Sequence, residues 1–482
     1  MKNILITGTN SYIGTSLEKW LEKLITEVCG RKIKLTKIFN GILGLMSRKD
    51  GILNKVFENL VYEQGMSDYK ENYRMRDSRE SIIEAEFNRK ELLSCNKKRI
   101  CVICTISKTL DWFVVESMRN LSDNGYEVFL VCDMEEAFIE RNKDYAHCVH
   151  IHMDRGINLL NAFKATSEMY KLFKNEKFDI IQYSTPNASL YASIAGKLAK
   201  VSVRLYCQWG LRYVGLTGII RSFFKLIEKI ICELSTWIEP DSVGNLTFCR
   251  NEGLYSENKS SVVWNGSASG VNLNKFNIAK KDIWRNEIRN RFEIQQDEFV
   301  FGFVGRVDRD KGFNELVESF KRIESKDIRL LIVGMEDKIE TVDTKLYAYS
   351  KESDRIIYTG VVTDVEKYMA VMDCLVFPSY REGFGSVVIE AEAMGVPVIV
   401  TDIPGPTDAM LKDITGLVVK KADVKTLNNA MINIYRDSIK RDQMGSAGYK
   451  YVSENFEQKK LFEMILQDRN RLLGVFDNKC SK

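Results

Sequence analysis

Residues 381–402 read REGFGSVVIEAEAMGVPVIVTD, and this stretch decides how the rest of the chain is interpreted. Its ends are apolar and strand-like. Between them lie a glycine-broken turn and a short helix carrying Glu382 and Glu390. Val387, Ala391 and Met394 recur at spacings of three and four, the mark of a buried helical stripe. Glu390 falls inside that stripe, and Glu392 points away from it. Burying an unpartnered carboxylate is costly, so a polar group is expected to meet Glu390. The turn Gly383, Phe384, Gly385 lets backbone come close to a ligand. It presents the free N–H groups of Ser386, Val387 and Val388 at a helix N-terminus, a ready cradle for a diphosphate.

Outward from this stretch the chain alternates apolar strands with helices. From about residue 97 the candidate strands are RICVICT, EVFLVC, CVHIHM, DIIQYS, VRLYCQ and SVVWN. After Asn265 the small, flexible run GSASGVNLNKF reads as a linker. The alternation then restarts with FVFGFVG, IRLLIVG, RIIYTG, DCLVFP, VPVIVTD and TGLVV. This rhythm predicts an α/β protein of two doubly wound parallel-sheet domains facing each other across a cleft. Ligands of such sheets bind beyond the carboxyl ends of the strands, so the cleft is the expected site. The predicted divisions are 1–95, an N-terminal extension; 96–270, the front domain; 271–460, the back domain; and 461–482, a C-terminal helix and tail packing back on the front domain.

Length and composition agree. A chain of 482 residues is too long for one core. A formal charge of +4 with no dense basic run excludes a nucleic-acid surface. Eleven scattered cysteines read as reduced thiols of a cytoplasmic protein. Cys101 and Cys104 lie three apart on a strand and so face opposite sides, unsuited to a shared metal. The opening MKNILITG lacks a signal peptide's apolar core.

The spacing Glu382-x7-Glu390, with the glycines between, resembles the E-x7-E signature of retaining GT-B glycosyltransferases of family four. The resemblance covers most of residues 97–460. VGRVDRDKGFNELVESF is similar to that family's donor-phosphate segment, with Arg306 and Lys311 in the expected places, and NGSASGVNLNKF is similar to its interdomain connector. It implies catalytic roles for Glu382, Arg306 and Lys311, with Glu382 on the donor sugar and Glu390 on the ribose hydroxyls of a nucleotide. It implies donor binding by Gly383, Phe384, Gly385, Ser386 and Val387, with backbone near Val361 against uracil. The donor is then a UDP-sugar, with no cofactor and no metal. Two cations and a helix tip stabilise the leaving diphosphate most as its charge develops. Among such enzymes the chain is most similar to those extending undecaprenyl-diphosphate-linked sugars for capsule, exopolysaccharide or other lipid-linked glycans. On the acceptor side this implies Asp111, Arg155 and Gln208, the last standing where many members carry a histidine.

Other motifs read more plainly. Asp308 and Asp310 form an Asp-x-Asp, but amid cations it reads as surface charge. His147, His150 and His152 fall on an otherwise apolar strand with no carboxylate cluster nearby and read as structural. Residues 219–234, IIRSFFKLIEKIICEL, place Arg221, Lys225 and Lys229 on one face and an apolar arc on the other. Such a helix packs on its own sheet or lies on an anionic membrane. The second option puts the protein at the inner face of the cytoplasmic membrane. The N-terminal NILITGTNSYIGTSLEKWL resembles the opening of short-chain dehydrogenases and sugar-nucleotide epimerases, with Ser11 in place of the middle glycine. Two alternatives follow: an NAD-dependent epimerase or oxidoreductase using that turn, and a non-catalytic sugar-nucleotide-binding subunit.

Overall fold

The computed structural model of the protein describes residues 97–480, apart from 155 and 157. The N-terminal glycine turn and Arg155 therefore lie outside the described residues. Among these residues, twelve strands form two six-stranded sheets. The front sheet comprises β1 (Lys98–Ile106), β2 (Tyr126–Asp133), β3 (Ala146–His150), β4 (Ile180–Tyr183), β5 (Val203–Gln208) and β6 (Trp237–Pro240). The back sheet comprises β7 (Phe299–Val304), β8 (Ile328–Val333), β9 (Ile356–Gly360), β10 (Cys374–Phe377), β11 (Val398–Thr401) and β12 (Gly416–Val419). Their orders, β3-β2-β1-β4-β5-β6 and β12-β11-β10-β7-β8-β9, are the same doubly wound pattern written twice. Every paired strand is parallel.

The apolar runs form these strands because both faces of each sheet are covered. Cys101 and Ile103 of β1 belong to one core cluster, and Ile100, Val102 and Cys104 to another on the opposite face. The two cysteines thus point apart. In the back domain Leu331 and Leu375 pack on one side, Leu330 and Val376 on the other.

One strand differs from the sequence reading. The sixth front strand is the short Trp237–Pro240, not the segment SVVWN. Ser260, just before that segment, makes an isolated bridge to Ile238, and Trp264 within it adopts a left-handed φ of 50°, which a strand does not accommodate.

Six helices matter below: α1 (Leu159–Glu176), α2 (Gly218–Leu234), α3 (Val243–Asn251), α4 (Ser386–Ala393), α5 (Ser438–Asn455) and α6 (Gln458–Cys480). Helix α6 returns to the front domain, where Leu472 and Leu473 join the core cluster of Ile100 and Leu130. Arg469, buried at 1 % exposure, bonds Glu239 of β6 at 3.0 Å and Gln182 of β4 at 3.1 Å. The chain crosses between domains twice, side by side. Val271 donates to the Phe456 carbonyl at 2.8 Å, and Gln458 donates to the Val271 carbonyl at 3.0 Å. No helix among the described residues is long and apolar enough to cross a membrane.

Candidate active site

In the back sheet the order reverses between β7 and β10, and two loops leave that switch point. Residues 305–312 follow β7, and residues 378–385 follow β10. They are laced together. Tyr380 donates its N–H to the Asp310 carbonyl at 2.8 Å, and Arg381 pairs with the Asp310 carboxylate at 2.6 Å. Lys311 Nζ reaches Glu382 Oε1 at 2.5 Å and lies 5.2 Å from the Phe377 ring centre. Both side chains of this pair are largely buried, at 19 % and 12 % exposure, so the attraction is screened far less than on an open surface.

The turn closes through Gly385, whose φ of 86° is left-handed and caps α4. Gly383 is needed for space: a Cβ there would sit 2.6 Å from Asp241 Oδ2 and from the Trp209 carbonyl. Of the three N–H groups expected to be free, that of Val388 is taken by the Gly385 carbonyl at 2.8 Å. Among the described residues, Ser386 and Val387 remain as the orphan donors of the helix.

Arg306 stands on the same loop as Lys311, bonded to Asp337 at 2.8 Å and Asp308 at 3.0 Å. Asp308 is not surface charge. It is 2 % exposed, and its carboxylate caps the Lys311 N–H at 2.9 Å. Its chemistry is to hold the cationic loop in shape. Val361 is 73 % exposed just beyond β9, at the carboxyl edge of the same sheet.

The helix stripe is also in a different phase. Glu392 is fully buried, both carboxylate oxygens lack hydrogen-bond partners, and it packs against Gly448 of α5. Burial pushes it up to about 8. Glu390 keeps a partly exposed edge facing Lys275 and Glu366, and loss of solvent around its carboxyl raises it to about 7. The reason is the brevity of α4. Eight residues wedged between sheet and α5 have little solvent face, and Val388, Ile389, Ala391, Glu392 and Ala393 are all buried.

On the front side, Gln208 does not reach the cleft. It is 1 % exposed, donates to Glu228 at 2.5 Å and accepts from Tyr255 at 2.9 Å. It ends β5 inside the packed domain, and it is the backbone carbonyl of the next residue, Trp209, that lies close to Gly383. Asp111 lies on the short helix after β1 and pairs with Arg141 at 2.9 Å. The histidines are more than half exposed and do have carboxylate neighbours: His152 bonds Asp133 at 2.8 Å and Asp154 at 3.2 Å. Among the described residues no group of three His, Cys, Asp or Glu side chains is placed to hold a metal. At the front switch point Thr185 takes a φ of 68°, rare for a β-branched residue, with its hydroxyl 2.7 Å from that of Thr105. Sequence reasoning missed Trp209, Asp241, Asn245, Asp408 and this threonine pair. None belongs to a short signature, and only the fold brings them together.

Two doubly wound domains, with a cationic loop against a glycine turn at the carboxyl edge of one, are the architecture of a GT-B glycosyltransferase. Comparison with known proteins supports this. Residues 285–451 match the family described as Glycosyl transferases group 1, and residues 102–239 match Glycosyl transferase 4-like. A capsular polysaccharide biosynthesis glycosyltransferase, CapM of Staphylococcus aureus, is 30% identical over 385 residues, covering 79% of this chain and 99% of that protein. A Campylobacter jejuni N,N'-diacetylbacillosaminyl-diphospho-undecaprenol alpha-1,3-N-acetylgalactosaminyltransferase is 25% identical, covering 67% of this chain and 86% of its own. Among solved structures, sucrose-phosphate synthase from Thermosynechococcus elongatus superposes with a TM-score of 0.65 at 20% identity, covering 79% of this chain and all of that one. Anabaena Alr3699/HepE in complex with UDP superposes at 0.63 and 15% identity, covering 78% of this chain and all of that one. The chain belongs to the group 1, family-four-like glycosyltransferases, and its two sheets form the GT-B fold.

Proposed function

We propose that the protein is a retaining transferase that moves a hexose or N-acetylhexosamine from a UDP-sugar to an undecaprenyl-diphosphate-linked glycan. The observation that carries this reading is the Lys311–Glu382 pair beside the orphan N–H groups of Ser386 and Val387. Diphosphate bound there receives the Lys311 ammonium, the Arg306 guanidinium and the helix tip. All three act most strongly on the charge of the departing group. Glu382 then holds hydroxyls of the sugar ring, and Glu390 those of the ribose. The acceptor attacks the face the diphosphate leaves, and the departing phosphate takes its proton. In this reading the cations supply the charge stabilisation, and neither metal nor cofactor is required.

The lipid-linked acceptor and a site at the inner membrane face rest on α2. Phe224, Ile227 and Ile231 pack inward, but Ile219, Phe223, Leu226 and Ile230 form a second apolar stripe that stays exposed. Lys229 stands beside it, also exposed.

Incubating the protein with UDP-sugars and a lipid-diphosphate sugar tests the reaction. UDP is released, and Lys311→Ala and Glu382→Ala each cut release by about 100-fold or more. Normal turnover in both variants overturns the assignment. Binding of UDP-sugar without turnover across a broad acceptor panel would instead make this a non-catalytic subunit.

A further inference from the structure

The front domain touches the donor turn directly, and the contact is lined by carboxyl groups. Asp408, from the loop after β11, accepts the N–H of Gly244 at 3.0 Å and of Gly405 at 2.9 Å, so a back-domain side chain caps front-domain helix α3. Asn245, one residue on, donates its side-chain amide to the carbonyls of Glu382 and Gly383. Between these two bonds lies Asp241 at the carboxyl end of β6. It is 8 % exposed, its Oδ1 has no hydrogen-bond partner, and its Oδ2 lies against Gly383. The groups facing it are carboxylates: Glu382 on the turn and Asp408 on the neighbouring loop. The cations nearby are engaged elsewhere. Lys311 is held by Glu382, and Arg469, which lines the same small cavity, is occupied by Glu239, Gln182 and Asp468. That cavity, about 20 Å³, has room for one water.

An ionised Asp241 would thus be a further negative charge beside Glu382 and Asp408, with no cation of its own and room for a single water. We propose that Asp241 is a positioning residue of the donor site: as a neutral acid it lets the front domain seat on the Gly383 turn, and as a carboxylate it drives the domains apart. Burial, then Glu382 and Asp408, push the seated carboxyl up to about 8. Opening exposes it to water and returns it to the ordinary carboxylate range. The seated form therefore holds the proton more tightly, so seating is favoured at low pH and lost as pH rises through 8. Between the two values the closing equilibrium falls by up to about tenfold per pH unit.

Small-angle X-ray scattering of the full chain between pH 5 and 9 tests this without reference to turnover. The radius of gyration of the wild type rises with pH, while Asp241→Asn and Asp241→Ser, both neutral, keep the compact value throughout. Thermal melting at pH 6 establishes which of the two folds, and either suffices. A wild-type radius that stays constant, or a folded neutral variant that expands like the wild type, overturns the proposal. The kinetic arm rests on the sugar-transfer reading: at saturating UDP-sugar, UDP release by the wild type falls with rising pH, and the slope disappears in Asp241→Asn. If no sugar is transferred at all, that arm reports on the reading above, and the scattering curve still decides the role of Asp241.

Discussion

Glu390 is where a single proton has the clearest consequence for ligand affinity. Its carboxyl is raised to about 7 by burial, with Lys275 opposing and Glu366 adding to the rise. In the role proposed for it, accepting ribose hydroxyls, Glu390 works when ionised. UDP affinity is therefore expected to climb by up to about tenfold per pH unit below 7 and to level off above it. Titration calorimetry with UDP from pH 5.5 to 8.5 checks this, and Glu390→Gln should flatten the curve. Gly383→Ala is a second single-residue case. The added methyl group meets Asp241 and the Trp209 carbonyl at 2.6 Å, so the turn must shift. A displacement on the order of 1 Å at the site is expected to lower UDP release about 100-fold, with melting temperature largely retained. At this scale the sequence was only half legible. The E-x7-E spacing located the turn, but a hydrophobic stripe read over eight residues could not fix the phase of a helix covered on both sides, and so Glu390 and Glu392 exchanged places. Gln208 was misplaced for a similar reason, since both faces of β5 are covered and neither opens to the cleft.

At the scale of elements, α2 combines two apolar faces on one helix. The inward face docks through Phe224, Ile227 and Ile231, and Glu228 is buried with them because it accepts hydrogen bonds from Tyr206 at 2.8 Å and Gln208 at 2.5 Å. Two of the three basic residues expected to face a membrane are engaged within the protein. Arg221 and Lys225 pair with Glu252 at 3.1 Å and 2.7 Å. Attachment, if carried by this helix, therefore depends more on Phe223 and Leu226 than on charge. Phe223→Asp with Leu226→Asp is expected to abolish co-sedimentation with anionic phosphatidylglycerol vesicles while leaving the melting temperature within a few degrees, because both side chains point outward. Unchanged sedimentation would remove the helix from the membrane reading. Elements were the most legible level of the sequence. Long apolar runs bounded by glycine and proline found eleven of the strands, since parallel strands buried on both faces are predominantly apolar. The sixth front strand escaped because Trp237–Pro240 is four residues long and contains Glu239, whose charge disguises it. Only Arg469, more than two hundred residues later in the chain, accounts for that charge.

At the scale of the whole molecule, that ion pair ties helix α6 to the front sheet. Arg469→Ala would leave Glu239 buried without its cation. A loss of about 3–5 kcal/mol is expected, read as a lower denaturant midpoint, whereas Arg469→Met together with Glu239→Leu should recover much of it. The two-domain plan was legible from the repeated rhythm of strands and the small-residue linker. The clasp between Asp408, Gly244, Asn245 and Gly383 was not, because it joins residues 137 to 164 positions apart that carry no common pattern.

Helix α6 has a further consequence during synthesis on the ribosome. Leu472, Leu473 and Arg469 complete the core around β1, β5 and β6, yet Arg469 is translated 230 residues after its partner Glu239 of β6. The half of the protein that emerges earlier must wait with an open seam, while the half that follows can finish first. Assembly therefore runs against the usual N-to-C order, and a chain cut short before α6 would yield a sound back domain attached to an unsealed front one.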